Sequence, residues 1–410
     1  MRTVERHGLG WSIAAAIAVT SVFVLSNAPT PLYVAWQREW GFSSGTLTVV
    51  FACYMAGLVG TLTVAGRLAD RYGRRVVLLP ALAAAIVSAL LFLFAQNVVW
   101  LLVARLLAGI SVGGSVTAGM AAVVDLAPAA RRRIGGLFAS VSMVLGAGLG
   151  PLLSGSIARQ TGTPQPWVFG LVTALTVIAF GLGVRLPLDR PVGPVATGGR
   201  LWRWPRPPRD RRRELVWGAV TFGPGITATS FVLSLGPSVL AGPVGVRDPF
   251  IAGLIACAMF LVATGIQFAV GGWSTRTQLA VSSIAAVAAM VLLGLAVTGA
   301  GRWPMFLVAA LLSGAAQGLG QLAGLTLIAT RIAPDRRAES NAALNISGYL
   351  PAGALPVATG YLADAVGLPV AVLAFAAVLG VFAVIALPLV RISTGRHLGA
   401  AEESSTARVR

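Results

Sequence analysis

Long apolar runs recur from one end of this chain to the other, separated by short arginine-bearing connections, and they leave it few ways to fold. A hydrocarbon core roughly 30 Å thick takes about 20 helical residues to cross. Runs of that order are expected over 11–33, 44–66, 76–95, 97–123, 134–158 and 165–187, then over 214–239, 248–271, 277–299, 303–330, 338–363 and 367–390. They are continuously apolar and too long for barrel strands of about ten alternating residues, so the spans read as helices. A water-soluble surface is ruled out by the same arithmetic, since 56% of residues are hydrophobic and only 11% charged. The chain is therefore expected to be an all-α membrane protein of about twelve transmembrane helices.

Every basic side chain of the 31 is Arg, and their placement sets an orientation. Twenty-six lie in the segments on one side of the expected spans, together with both termini. Arg38, Arg159, Arg247 and Arg302 lie on the other side, and Arg105 is left inside a span. Both termini are expected in the cytoplasm, with the chain multi-pass in a cell (inner, plasma) membrane. The net charge of +18 resides in connections and not on a folded basic face, so no nucleic-acid partner is expected. Arg2 and Arg6 precede the first run like a leader, but the run is long and the small-residue position near Ala28 is followed by Pro29. That run is expected to stay as a helix.

The stretch WRWPRPPRDRRR (202–213) is too rich in Pro and charge to continue a span. It divides the chain into an N-terminal six-helix bundle (1–187), a cytoplasmic linker (188–213), a C-terminal six-helix bundle (214–390) and a cytoplasmic tail (391–410). The linker reads either as a flexible tether or as a dock on anionic lipid. The two halves repeat: Gly66 and Gly271, Gly109 and Gly314, Pro151 and Pro356, and Gly155 and Gly360 are each 205 residues apart. VARLLAG (103–109) is echoed by VAALLSG (308–314). A repeat of this kind suits two bundles rocking about a shared midplane cavity.

The most specific local string is GRLADRYGRR (66–75), between spans two and three. Gly66 permits close helix approach and Gly73 a tight turn, while Arg71, Arg74 and Arg75 hold the cytoplasmic face. The string resembles the G-x-L-x-D-R-x-G-R-R signature of the major facilitator superfamily, and the resemblance extends over essentially the whole chain. It implies the two-bundle major facilitator fold and a gate. Asp70 and Arg74 would help lock the outward-facing state, with Asp125 the partner of Arg74. The corresponding string in the second half, GGWSTR (271–276), carries Thr275 in place of the Asp, so the gate is expected to be asymmetric. Arg105 with Gly109, in RLLAG, is similar to the family's second motif, associated with proton transfer or substrate-linked gating; Ala108 stands where that motif has Gln. An intramembrane Arg either faces the bundle interior or snorkels to the interface. GAGLGPLLSG (146–155), with Gly146, Gly150, Pro151 and Gly155, resembles the motif typical of the family's antiporter (exporter) branch, Ser154 replacing one Gly. Its bland alternative is a small-residue packing face.

Polar residues inside spans mark a cavity lining: Asn27 beside Pro29 and Pro31, Gln317 with Gln321 one turn on, and Asn345 with Tyr349 one turn on, Asn341 preceding them. Each either meets a ligand or bonds a neighbouring helix. No Asp or Glu lies near the middle of a span. A dedicated exporter of cations, which would use such a carboxylate, is disfavoured, and a neutral, amphipathic or anionic substrate suits Arg105 better. The resulting expectation is a secondary active transporter, an exporter of small amphipathic or drug-like molecules working by alternating access. An importer or facilitator of a sugar or organic acid is the alternative in the same fold. A receptor or membrane enzyme lacks support: the two His lie in the tails, Cys53 and Cys257 sit in apolar runs, and without Lys no phosphate-binding loop can form. No cofactor or metal is expected beyond an open role for a proton gradient; the partners expected are a small-molecule substrate and the bilayer, with the chain monomeric.

Overall fold

The computed structural model describes residues 9–188, 212–299 and 303–397, and all the regular structure among them is helical. Twelve helices of membrane length follow in chain order among these residues. The first half holds α1 (Leu9–Trp40), α2 (Ser44–Tyr72), α3 (Arg75–Leu93), α4 (Val98–Asp125), α5 (Arg132–Gln160) and α6 (Pro164–Arg185). The second holds α7 (Arg212–Ser234), α8 (Pro249–Ala269), α9 (Thr275–Thr298), α10 (Trp303–Arg331), α11 (Pro334–Val366) and α12 (Leu368–His397). Eleven are both long and apolar enough to span a bilayer; α11 has 33 residues but is too polar to qualify by composition. Some helices run past the expected spans, as α1 does to Trp40 and α2 to Tyr72, whereas α3, α6, α7 and α8 end two to five residues short of them. α12 stays helical to His397, beyond residue 390 where a tail was expected. Most of the expected linker (189–211) and of the tail (398–410) lies outside the described residues.

Short polar residues fix where helices begin. Ser43 accepts the Thr46 N–H at 3.1 Å, Asn97 the Val99 N–H at 3.0 Å, Asp248 the Phe250 N–H at 2.9 Å and Ser274 the Thr277 N–H at 3.2 Å. Each satisfies a first-turn donor that the helix itself cannot. Two helices are irregular. α1 breaks after Asn27 and passes through a 3₁₀ turn at Thr30–Leu32, since Pro29 and Pro31 cannot donate. α4 loosens into a π turn over Ser115–Gly119.

The outer surface is apolar, with Phe94, Trp167, Phe268, Val291 and Phe382 all exposed. Such a surface is stable against lipid and not against water. Inside, the repeat reappears as geometry. A Cβ on Gly109 of α4 would run into the Tyr54 carbonyl of α2, and one on Gly314 of α10 into the Met259 carbonyl of α8. Gly113 and Gly318, again 205 apart, serve the same two seams. Gly155 of α5 lies against Pro249 of α8, and its counterpart Gly360 of α11 against Ser44 and Thr48 of α2. Equivalent glycines thus set equivalent helix approaches, first within each half and then between halves.

The halves meet tightly at the arginine-poor end. There Asp364, at the end of α11, accepts the Ser44 and Gly45 N–H groups of α2, both at 2.8 Å. Arg159, at the end of α5, lies 3.6 Å from Asp248, the N-cap of α8. Arg159 and Asp364 are themselves 205 apart, as are Ser43 and Asp248. Ser238 donates to Gln37 across the same end at 3.1 Å.

Candidate functional site

Between the halves lies a cavity of about 120 Å³. The first half contributes Phe23, Ser26, Asn27, Phe51, Tyr54 and Arg105; the second contributes Phe260, Gln267, Gln317, Gln321 and Tyr349. Among the described residues, no acidic side chain lines it. Of the candidates expected from sequence, Asn27, Arg105, Gln317, Gln321 and Tyr349 are brought together here. Asn345 is not among the residues that line it.

Arg105 does not snorkel. It is 1% exposed, and its Nε and Nη2 donate to the Tyr33 hydroxyl while Nη1 donates to the Ser26 carbonyl. The break in α1 makes this arrangement: it ends the first helical segment near Ser26, exposing carbonyls whose dipole attracts a cation, and turns Tyr33 inward. The guanidinium carbon also lies 5.2, 5.6 and 5.7 Å from the ring centres of Tyr33, Phe51 and Tyr54, within cation–π range. Asn27 is held by its own helix, its amide donating to the Phe23 carbonyl at 3.2 Å and to Ser26 Oγ at 2.8 Å. Gln317 presents a buried Oε1 that has no hydrogen-bond partner among the described residues.

Sequence reasoning did not find Tyr33, Phe51, Tyr54 or Gln267. A signal existed for the tyrosines: the chain has five, and three of them, Tyr33, Tyr54 and Tyr349, gather around this site. Tyr72 and Tyr361 are exposed.

The GRLADRYGRR string is mostly helix and not loop. Gly66 to Tyr72 form the last turns of α2, Gly73 turns the chain at φ +94°, and Arg75 opens α3. Arg74 Nη1 lies 2.5 Å from Asp125 Oδ2 at the end of α4, a partly exposed ion pair within the first half. Such pairs contribute about 0–1 kcal/mol, so this one fixes a geometry more than it stabilises a fold. Arg75 donates to the Val184 carbonyl of α6 at 2.8 Å, and Arg71 stacks on Tyr72 at 5.2 Å. Asp70 is exposed, with no ion pair or hydrogen bond to another described residue. Gly66 has open space before it up to a Thr117 methyl at 3.9 Å.

The span-five string divides its work between two faces of α5. Gly146 and Gly150 admit the α1 backbone, at Thr20 and Val24. Pro151 and Gly155 face α8, where the Pro151 carbonyl sits against Gly253. The same helix therefore joins the broken α1 to the opposite half.

Similar proteins fit this architecture. The chain is 35% identical over 143 residues to a gallate transporter of Pseudomonas putida (35% of this chain, 32% of that protein). It is 31% identical over 139 residues to a class H tetracycline resistance protein of Pasteurella multocida (33% of each). The chain spans about a third of the length of these relatives. Among solved structures, the nucleoside transporter NupG superposes with a TM-score of 0.73 at 11% identity, covering 92% of this chain and 99% of that one. A bacterial homologue of the lysosomal transporter Spinster, in an inward-facing and unoccupied conformation, superposes with a TM-score of 0.67 at 16% identity, covering 95% and 97%. At these identities the likeness is one of fold. The Major Facilitator Superfamily profile matches residues 12–298 and 247–408, which together take in nearly all of the sequence. The chain belongs to the major facilitator superfamily.

Proposed function

We propose that this protein is a secondary active exporter that moves small amphipathic molecules across a plasma membrane by alternating access. The observation that carries the reading is the central cavity: it lies between two pseudo-equivalent halves that are clamped together at one end. With the arginine-rich end in the cytoplasm, as the positive-inside rule requires, the tight end is extracellular and this is a state closed to the outside. Export is supported by the resemblance of 146–155 to the antiporter motif and by the tetracycline resistance relative. Asp70 and Arg74 are the gate on the cytoplasmic side. Asp70 has no partner among the described residues in the present state, which suits a lock that engages when that side closes. If protons drive the cycle, Asp70, Asp125 and Glu339 are the candidates to carry them, because no acid lines the cavity among the described residues.

A toxicity panel in a pump-deficient host tests this reading. Wild type should confer resistance to one or more amphipathic compounds, and Asp70→Asn should lose it at equal membrane expression. Unchanged sensitivity with the wild-type protein in the membrane would remove the exporter.

A second reading is uptake of an organic acid in the same fold; its substrate class is favoured by Arg105, the one buried basic side chain among the described residues, and by the gallate relative. Accumulation of a labelled acid by intact expressing cells, instead of its depletion, would decide for import.

A further inference from the structure

Arg105 is a full positive charge inside the protein without a carboxylate near it among the described residues. Arg does not deprotonate in proteins, so the charge cannot be relieved by losing a proton. The acids of the described helices lie toward their ends, as Asp70, Asp125, Glu339 and Asp364 do. The compensation on hand is partial. The Ser26 carbonyl belongs to a helix C-terminus worth about half a negative charge, and the rings of Tyr33, Phe51 and Tyr54 supply quadrupoles but no counter-ion. Three donor contacts are made to Tyr33 and Ser26, and the remaining guanidinium N–H groups have no acceptor among the described residues. Across the cavity, in the second half, Gln317 carries the opposite deficit: a buried amide oxygen with no donor.

We propose that the cavity recognises a small organic monocarboxylate with a planar apolar body and a hydrogen-bond donor at its far end. The carboxylate pairs with Arg105, the body lies among Phe51, Tyr54 and Phe260, and the distal hydroxyl or N–H donates to Gln317. A single fixed cation selects a single negative charge, since a dianion would leave one charge uncompensated in a low-dielectric site. The ligand touches both halves, so its binding is coupled to their relative position. This rests on the transporter reading above and narrows its substrate class.

Calorimetric titration of the purified full-length protein in detergent tests it with para-hydroxybenzoate, the neutral para-hydroxybenzamide of nearly the same shape, benzoate, and tetraphenylphosphonium. Wild type should bind para-hydroxybenzoate at least tenfold more tightly than the amide and severalfold more tightly than benzoate, and should not bind the phosphonium. This comparison needs no variant, so it survives any failure of an Arg105 substitution to fold. Where the variants do fold, Arg105→Gln should lose at least tenfold in carboxylate affinity, with partial recovery in Arg105→Lys. Gln317→Leu should erase the difference between benzoate and para-hydroxybenzoate. Equal binding of amide and carboxylate, tighter binding of the phosphonium, or no binding of any probe at millimolar concentration would overturn the proposal, leaving Arg105 a structural brace. Exchange in proteoliposomes separates the two readings. Exchange of the amide or the phosphonium but not of the carboxylate keeps a transporter and sinks the anion site. Carboxylate binding without any exchange keeps the site and sinks the transporter.

Discussion

A single buried hydroxyl holds the most expensive residue of this protein in place. Tyr33 accepts from two nitrogens of Arg105, and removing that acceptor leaves charged donors unsatisfied in a region that water does not reach easily. Loss of a partner to a buried charged group costs about 1–3 kcal/mol or more. Tyr33→Phe should therefore lower the melting temperature in detergent measurably, whereas Tyr361→Phe, at an exposed ring, should not. Phe keeps the apolar bulk and the cation–π face, so the difference reports the hydroxyl alone. Arg105 was legible as a buried charge because a mid-span Arg facing lipid would cost about 2.5–3.5 kcal/mol. Tyr33 was not, because its contact spans 72 residues of sequence and depends on how α1 breaks. The proline pair announced a break at Asn27 but not which side chain it would turn inward.

At the scale of helices, the repeat spacing makes predictions that come in pairs. A methyl at Gly109 or Gly314 overlaps a backbone carbonyl of the neighbouring helix, an obstacle that no rotamer change removes. Gly109→Ala and Gly314→Ala should each destabilise by about 1–3 kcal/mol and by similar amounts. Gly170→Ala, with nothing within 4 Å, should be neutral or stabilising, because Ala is the better helix former. Thermal unfolding of the three variants in one detergent checks the set. The same spacing pairs the two clasps at the arginine-poor end, one a carboxylate on the N-terminus of α2 and the other an Arg on the capping Asp of α8. A charge at a helix N-terminus is worth about 0.3–1 kcal/mol, up to ~2 kcal/mol when partly buried. Asp364→Ala should thus shift the balance between states severalfold away from closure at this end. In a background without native cysteines, Gln37→Cys, under Ser238 of the other half, should then react severalfold faster with an impermeant thiol reagent. An unchanged rate would mean that the clasp contributes nothing to closure. Sequence spacing exposed the glycine pairs; it did not expose the clasps, because Arg159 and Asp364 are chemically opposite and only their shared geometry relates them.

For the molecule as a whole, fold class was legible almost entirely from hydropathy and from where arginine falls, since lipid leaves a chain few options. The span expected over 338–363 is α11, the one hydropathy marks least strongly, since its asparagines and prolines make it the least apolar of the twelve helices although it packs beside α2 and α7. A helix that lines the seam between halves can be polar, and that polarity lowers its hydropathy without removing it from the expected spans. The cavity's charge carries a last consequence at this scale. Among the described residues Arg105 is the one charged side chain that lines the cavity, so under the proposed anion site a monoanion crossing the protein meets no proton-binding carboxylate within it. Each passage then moves net negative charge across the membrane. A potential of 100 mV acts on one elementary charge with about 2.3 kcal/mol, roughly a fiftyfold bias in distribution. An interior-negative potential drives an anion outward, so export needs no proton antiport. In proteoliposomes loaded with para-hydroxybenzoate, imposing an interior-negative potassium diffusion potential should accelerate efflux severalfold. Collapsing a pH gradient at fixed potential should change it by less than about twofold. The reverse pattern would place proton transfer in the cycle and direct attention to Asp70, Asp125 and Glu339, the acids nearest the arginine-rich end.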